Sequence, residues 1–174
     1  MTSTAPTTSE DRPRLHRHLE TPLGDYVLAA TPDGLVGVWR EHQKHYPAPE
    51  RLGATACGPH ALLDEAQAQL LEYLRGDRED FDLPLAPEGT DFQRAVWDHL
   101  RTIPRGATTT YGQIARTLAR PRAAQAVGAA VGSNPLSIVV PCHRVLGSTG
   151  SMTGYAGGIE TKQALLLLEG ALLT

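Results

Sequence analysis

The sequence predicts an α+β protein in two parts: a small N-terminal sheet-plus-helix domain over residues 15–88, then a mostly helical C-terminal domain with a helix-turn-helix over residues 89–174. Three observations carry this. Two β-rich runs flank a turn sequence near the start. Further on, apolar residues recur at helical spacing. Two capping-box sequences, at 90–93 and 110–113, mark helix starts in the second half. A chain of 174 residues suffices for one domain or two small ones with a real core.

Taken in order, residues 1–14 lack the basic and apolar regions of a signal peptide and read as a disordered tail. Residues 24–30 and 35–39 are rich in β-formers, and Thr31-Pro32-Asp33-Gly34 between them is turn chemistry, which predicts a hairpin. Residues 41–58 read as loop. Leu63, Ala66, Leu70 and Leu74 then recur at helical spacing, with Gly76 as a stop. Phe81, Leu83 and Leu85 alternate, which predicts a short third strand. This first half holds no motif tied to chemistry.

Pro84, Pro87 and Gly89 mark a linker. Thr90 and Gln93 form the first capping box, and Phe92, Val96 and Leu100 follow on one helical face until Ile103-Pro104-Arg105-Gly106. Thr110 and Gln113 open a second helix carrying Ile114 and Leu118. Arg120-Pro121 is a turn, with Pro at the start of the next helix, which runs from about 122 to 131. Two short helices joined by a tight turn make a helix-turn-helix. The apolar run 136–140 reads as a buried strand. Gly157-Gly158 leads into a final helix over 160–173.

Composition narrows the function. Hydrophobic residues make up 41% of the chain, and no apolar run approaches the ~20 residues of a membrane span, so no membrane association is expected. Cys57 and Cys142 lie far apart and make no disulfide framework, which suits a reduced, cytoplasmic setting. The net charge of −3 argues against nucleic acid only at face value. Residues 1–91 carry 8 Lys+Arg against 16 Asp+Glu, whereas residues 92–174 carry 8 against 3. The asymmetry suggests an acidic accessory half and a DNA-facing half.

The second helix of the pair begins Arg122-Ala123-Ala124-Gln125-Ala126-Val127-Gly128. A major-groove recognition helix carries long polar side chains that reach base edges. Small side chains instead let a helix approach the minor groove, about 6 Å wide. Arg122 and the amides at the helix start are candidate phosphate contacts.

Chemistry concentrates in Pro141-Cys142-His143-Arg144-Val145. A thiol reacts as its thiolate and needs a proton acceptor to become one. His143 stands next to Cys142 and can serve directly or through a water. Elsewhere His16, His18, His42, His45 and His60 are scattered, with no Cys/His spacing typical of zinc. A metal site built from these with Cys57 is an alternative, but none is expected.

Together with Asn134-Pro135 ahead of it and Gly154-Tyr155-Ala156-Gly157-Gly158 behind it, this string resembles the O6-alkylguanine-DNA alkyltransferases, suicide DNA-repair proteins. The likeness is strong over about 90–174 and weaker over 19–88. It implies transfer of an alkyl group from O6-alkylguanine, and conceivably O4-alkylthymine, in duplex DNA to Cys142, without a cofactor and with one repair per molecule. It implies that His143 takes the thiol proton through a water and that Glu169 orients His143. Tyr111 would contact the guanine and supply its proton, while Tyr155, Ala156 and Val145 would line the pocket. The carbonyls of Cys142 and Val145 would accept from the guanine amino group, and Asn134 would tie the helix-turn-helix to the active turn. Arg144 is expected to be structural or DNA-facing. The chain departs from the family at Gln125, where an arginine usually fills the gap left by the flipped nucleotide. A monomer acting on double-stranded DNA is expected.

Two other readings stand beside this. A non-repairing damage sensor would lack the cysteine. A helix-turn-helix transcription regulator of this kind would carry an upstream cysteine-rich zinc segment, where this chain has only Cys57.

Overall fold

The structure is a computed structural model and describes residues 13–173. The tail expected over 1–14 falls outside the described residues except for Pro13 and Arg14. Arg14 is anchored: its guanidinium donates to the Arg51 carbonyl at 2.6 Å and pairs with Glu88 at 2.5 Å.

Strands β1 (Leu15–Thr21), β2 (Gly24–Thr31) and β3 (Gly34–Arg40) form an antiparallel meander. The expected hairpin is β2–β3, turning through Pro32-Asp33. β1 was not expected, because its only apolar residues, Leu15 and Leu19, are four apart and show no alternation. The segment 41–58 is more than loop. It holds a four-residue helix α1 (Pro49–Leu52) and a two-residue strand β4 (Ala54–Thr55) that adds to β1 in parallel, giving the order β3-β2-β1-β4.

Helix α2 (Ala61–Arg75) packs on the sheet. His60 caps its start, accepting from the Leu63 amide at 3.2 Å, and Gly76 in the left-handed region (φ 83°) ends it. The third strand expected at 81–85 does not form. Leu85 makes one isolated bridge to Leu35, with Leu35 N donating to the Pro84 carbonyl and Ala86 N to the Leu35 carbonyl, both at 2.8 Å. Pro84 and Pro87 lack amide hydrogens and cannot extend that ladder. Gly34 permits the approach: a Cβ there would meet the Pro84 carbonyl oxygen at 2.7 Å.

Helix α3 (Asp91–Leu100) and helix α4 (Tyr111–Thr117) both start with the expected capping boxes, with both reciprocal bonds present in each. Strand β5 (Thr109–Thr110) leads into α4. Helix α5 (Ala124–Gly132) starts two residues later than expected. Arg122 belongs to the turn, because the Ala123 amide bonds back to the Arg120 carbonyl at 2.9 Å, so Pro121 sits in that turn and not in the first helical turn. The run 136–140 is a buried turn rather than a strand: Leu136 bridges Val38, Ser137 bridges Val140, and Ile138 between them sits at φ 71°. A 3-10 turn, Cys142–Arg144, follows, then strand β6 (Val145–Leu146), parallel to β5. The last helix, α6 (Ile159–Leu168), stops five residues short of the expected end. Gly170 (φ 75°) reverses the chain, with its amide and that of Ala171 closing on the Leu167 and Leu166 carbonyls.

One apolar cluster runs through both halves. It joins Tyr26, Leu28 and Leu35 of the sheet, Leu63, Leu70 and Tyr73 of α2, Val96 and Trp97 of α3, Val127 of α5, Cys142, and Leu165 of α6. The edge of β3 grips the chain ahead of the reactive string. Val38 N donates to the Pro135 carbonyl at 2.8 Å, and Ser137 N returns to the Val38 carbonyl at 3.1 Å. Trp97 Nε1 donates to the Ala130 carbonyl at 2.8 Å and ties α3 to α5. Among the described residues no helix is long and apolar enough to cross a membrane.

Candidate active site

The reactive string is shaped by Asn134. Its side-chain amide donates to the Val140 carbonyl at 2.9 Å, and its Oδ1 accepts from the Leu136 amide at 3.0 Å. One buried side chain thereby closes the turn 134–140 from inside. Pro141 then opens the 3-10 turn. Its three residues per turn aim successive side chains about 120° apart, and here they divide the work. Cys142 faces a narrow pocket of about 40 Å³, lined also by Tyr111, Gly128, Asn134, Ser137, Tyr155 and Ala156. His143 and Arg144 turn inward to Glu169.

Glu169 caps the C-terminal end of α6 and is buried. His143 Nε2 lies 2.6 Å from its Oε1. Arg144 holds the carboxylate with Nε on Oε2 at 2.9 Å and Nη2 on Oε1 at 3.0 Å, and its Nη1 donates to the Ile103 carbonyl at 2.5 Å. Arg144 is therefore structural; with this fork buried it does not face DNA. Tyr73 of α2 donates its hydroxyl to Oε1 as well.

The electrostatics follow from this burial. Burial pushes Glu169 up, but hydrogen bonds from His143, Arg144 and Tyr73 overcome it and bring the carboxyl down to about 2. With Nε2–H committed to an ionised carboxylate, Nδ1 of His143 is the basic nitrogen. That atom is buried and has no hydrogen-bond partner among the described residues. Burial lowers His143 against the pull of Glu169. Burial also raises Cys142, opposed by the Asn134 amide and the charge of Lys162. Both shifts favour the neutral forms, thiol and imidazole, and Nδ1 is the ring nitrogen not engaged by the carboxylate.

Lys162, unmarked in the sequence reading, is fully buried on α6. Its Nζ donates to the Val145 carbonyl at 2.5 Å and to the Thr153 carbonyl at 3.0 Å. Burial lowers its pKa. A signal existed: Lys162, Leu165, Leu166 and Glu169 share one helical face. Tyr73 carried a similar signal, three residues beyond Leu70 on the buried stripe of α2; Tyr73 is buried and the neighbouring Leu74 only partly so.

Tyr111 opens α4 at the pocket rim, with Thr153 Oγ1 3.3 Å from its hydroxyl. The Tyr155 hydroxyl is buried without a hydrogen-bond partner among the described residues, and burial raises its pKa well above the usual value. Ala156 lines the pocket and accepts from the Lys44 amide at 3.1 Å. The Val145 side chain is fully buried and does not line this pocket, and its carbonyl accepts from Lys162 with one lone pair. Beyond the rim the pocket widens into a cleft bounded also by Lys44 and His45.

On α5, Arg122, Ala124, Gln125 and Ala126 are exposed, Ala123 and Gly128 are half-buried, and Gly128 lies against the Tyr111 ring. Ala123 caps no amide with its side chain, and the first turn holds no acidic residue. Among the described residues no group of three or more His, Cys, Asp or Glu is placed to hold a metal.

Fold and site together define an α+β protein that sets a buried thiol beneath a small pocket, backed by an imidazole–carboxylate pair and flanked by a helix with a bare, small-residue face. Residues 91–171 match the model of the 6-O-methylguanine DNA methyltransferase DNA-binding domain. The chain is 48% identical over 172 residues to a methylated-DNA–protein-cysteine methyltransferase of Shigella flexneri, covering 91% of this chain and 97% of that one. It is 43% identical over 153 residues to the protein of that name from Methanosarcina acetivorans, covering 87% and 96%. The Mycobacterium tuberculosis OGT crystallised in complex with DNA superposes with a TM-score of 0.81 at 40% identity, over 90% of this chain and 93% of that one. The chain belongs to the methylated-DNA–protein-cysteine methyltransferase family.

Proposed function

We propose that this protein repairs O6-alkylguanine in duplex DNA by moving the alkyl group to its own Cys142. The observation that carries this is the Cys142–His143–Glu169 set beneath a pocket that opens beside α5. The Cys142 proton passes to His143 Nδ1, through a water or directly. The thiolate attacks the alkyl carbon, a C–S bond forms and the C–O6 bond breaks. The Tyr111 hydroxyl returns a proton to the departing guanine. The thioether is not readily reversed, so each molecule acts once and needs no cofactor.

Helices α4 and α5 serve as the helix-turn-helix, with the small-residue face of α5 in the minor groove. The uncapped amides of α5 and Arg122 hold phosphates. The target nucleotide flips into the pocket, and Gln125 stands where the gap opens. Residues 15–88 act as the accessory domain and residues 89–174 as the DNA-binding and transfer domain. The protein works as a cytoplasmic monomer, where its thiol stays reduced. Guanine contacts come from Tyr111, Tyr155 and Ala156, with the carbonyls of Cys142 and Val145 accepting from its amino group. The test is a duplex carrying O6-[³H]methylguanine. One label per protein molecule with guanine restored in the DNA supports the reading; label that stays in DNA overturns it.

A further inference from the structure

The Glu169 carboxylate is served from both halves of the chain. His143 and Arg144 reach it from the 3-10 turn, and Tyr73 reaches it from α2, 96 residues away in sequence. Tyr73 is buried, and its place is fixed from three sides. The ring packs on Phe81 with centroids 4.9 Å apart. The guanidinium of Arg105 lies 5.3 Å above the ring. Arg105 itself donates to the Leu168 carbonyl at 2.9 Å, next to Glu169, and to the Arg78 carbonyl at 3.2 Å. The hydroxyl therefore has one direction to point, toward Oε1, the same oxygen that receives His143 Nε2.

That sharing has a chemical consequence. A carboxylate oxygen that accepts several donors spreads its charge among them and binds each less strongly. Among the described residues, the charged and titratable groups facing this network are His143, Arg144 and Cys142 on the turn, Lys162 on α6, Tyr155 on the loop before it, Arg105, and Tyr73 on α2.

We propose that Tyr73 is a positioning residue of the alkyl-transfer relay: its hydroxyl sets how strongly Glu169 draws on His143, and so makes the N-terminal half part of the reaction. This rests on the reading of Cys142 as acceptor. It also gives residues 15–88 a role in the chemistry itself. Loss of the hydroxyl leaves Glu169 with more charge to offer His143, and the imidazole becomes easier to protonate. The relay needs a free lone pair on the imidazole to accept the thiol proton, so a protonated imidazole is the inactive form. The acid limb of the pH–rate profile then moves to higher pH. A stronger donor at the same site does the reverse.

The test uses the full chain and the free base O6-benzylguanine, which needs no DNA contact. Tyr73→Phe keeps the ring and removes the hydroxyl. Its acid limb moves up, so that the rate on that limb falls roughly threefold, as a shift of about half a pH unit requires. Site-specific 3-fluorotyrosine at position 73, a stronger donor with the ring intact, moves the limb down. Opposite shifts are beyond a packing role. A limb in the same place for wild type and both proteins overturns the proposal, and so does a shift of the same sign in both. Intact mass after reaction is read alongside. Failure of the wild type to gain an adduct on Cys142 would defeat the reading of the site, a result distinct from failure of the Tyr73 assignment.

Discussion

The ammonium of Lys162 donates to the carbonyl of Val145 at 2.5 Å, from a site that solvent barely reaches. Its second bond, to the Thr153 carbonyl, joins the strand after the reactive turn to the loop that walls the pocket. The same charge opposes the burial that raises Cys142. One side chain thus shapes the pocket and favours the thiolate.

Replacing Lys162 with Met keeps the length and removes both bonds and the charge. The buried Val145 carbonyl and the partly exposed Thr153 carbonyl lose their donor, at a cost of about 1–3 kcal/mol in stability. The thiol also becomes harder to ionise, so the rate of the O6-benzylguanine reaction falls at neutral pH and its alkaline rise moves to higher pH. Chemical denaturation and a pH–rate series read the two effects separately. An unchanged pH profile would remove Lys162 from the electrostatics of Cys142.

Asn134 makes two buried bonds, to the Val140 carbonyl and from the Leu136 amide. Asn134→Ala leaves the Leu136 amide unpaired and takes one of two donors from the Val140 carbonyl, which keeps the Cys142 amide at 2.8 Å; it destabilises by about 1–3 kcal/mol. Asn134→Asp keeps the acceptor for Leu136 and loses the donor to Val140. Alkyl transfer drops in both, because the turn that aims Cys142 is no longer closed. Full activity in Asn134→Ala would mean that the two prolines and the β3 edge hold the turn without it.

Acid stability follows from Glu169 and His143. Glu169 sits at about 2 in the fold against an ordinary 4.5, so its contribution is present above the ordinary value and is lost as pH falls toward 2. The loss is on the order of 3 kcal/mol. His143 is held below its ordinary 6.5 by burial. The unfolded chain therefore takes up that proton first, and stability begins to fall below about pH 6.5. Urea midpoints from pH 8 to pH 3 should decline along that course. In Glu169→Gln the decline below pH 5 is shallower, from a lower start. Parallel curves for the two proteins would contradict the assignment.

Gln125 is exposed on α5, at the position where the resemblance implies an arginine. Gln125→Arg should strengthen repair of duplex more than reaction with free base. Extrusion of a base costs a few kcal/mol, and ~1.4 kcal/mol of better compensation is roughly tenfold in flipped population. Binding also gains salt dependence if the new charge meets a phosphate. The readout is the ratio of second-order rate constants on duplex and on O6-benzylguanine. An unchanged ratio means that position 125 does not enter the gap.

The sequence was most legible where side chains act on their own backbone. Both capping boxes, the β2–β3 turn and the glycine stop of α2 follow from residues a few positions apart. It was least legible where distant segments decide. β1 is a strand because β2 and β4 pair with it, although its own pattern is polar. The run 136–140 is as apolar as a strand, yet Asn134 and the β3 edge fold it into a turn. α6 ends at Leu168 because Gly170 reverses the chain, with Glu169 as its C-cap still on the buried helical face that meets His143. In the site, Cys142 and His143 stood out as an adjacent thiol and imidazole, while Glu169 and Asn134 came from the family resemblance; the structure sets Glu169 on His143 and Asn134 inside the turn that leads to Cys142. Tyr73 and Lys162 serve it through burial, and a lone tyrosine or lysine on an apolar stripe gives little sign of that. The bond from Lys162 to the Val145 carbonyl was not legible either, because the two residues lie 17 apart in sequence.

The central claim is that Cys142 is the alkyl acceptor, and peptide-level mass spectrometry tests it most directly. Wild type and Cys142→Ser are incubated with excess O6-methylguanine duplex, digested and mapped. The account predicts one methyl group per wild-type molecule, on Cys142 alone, with exposed Cys57 unmodified, and no methylation of the serine variant although it still binds the duplex. Methyl on Cys57, or transfer that survives in Cys142→Ser, would contradict it.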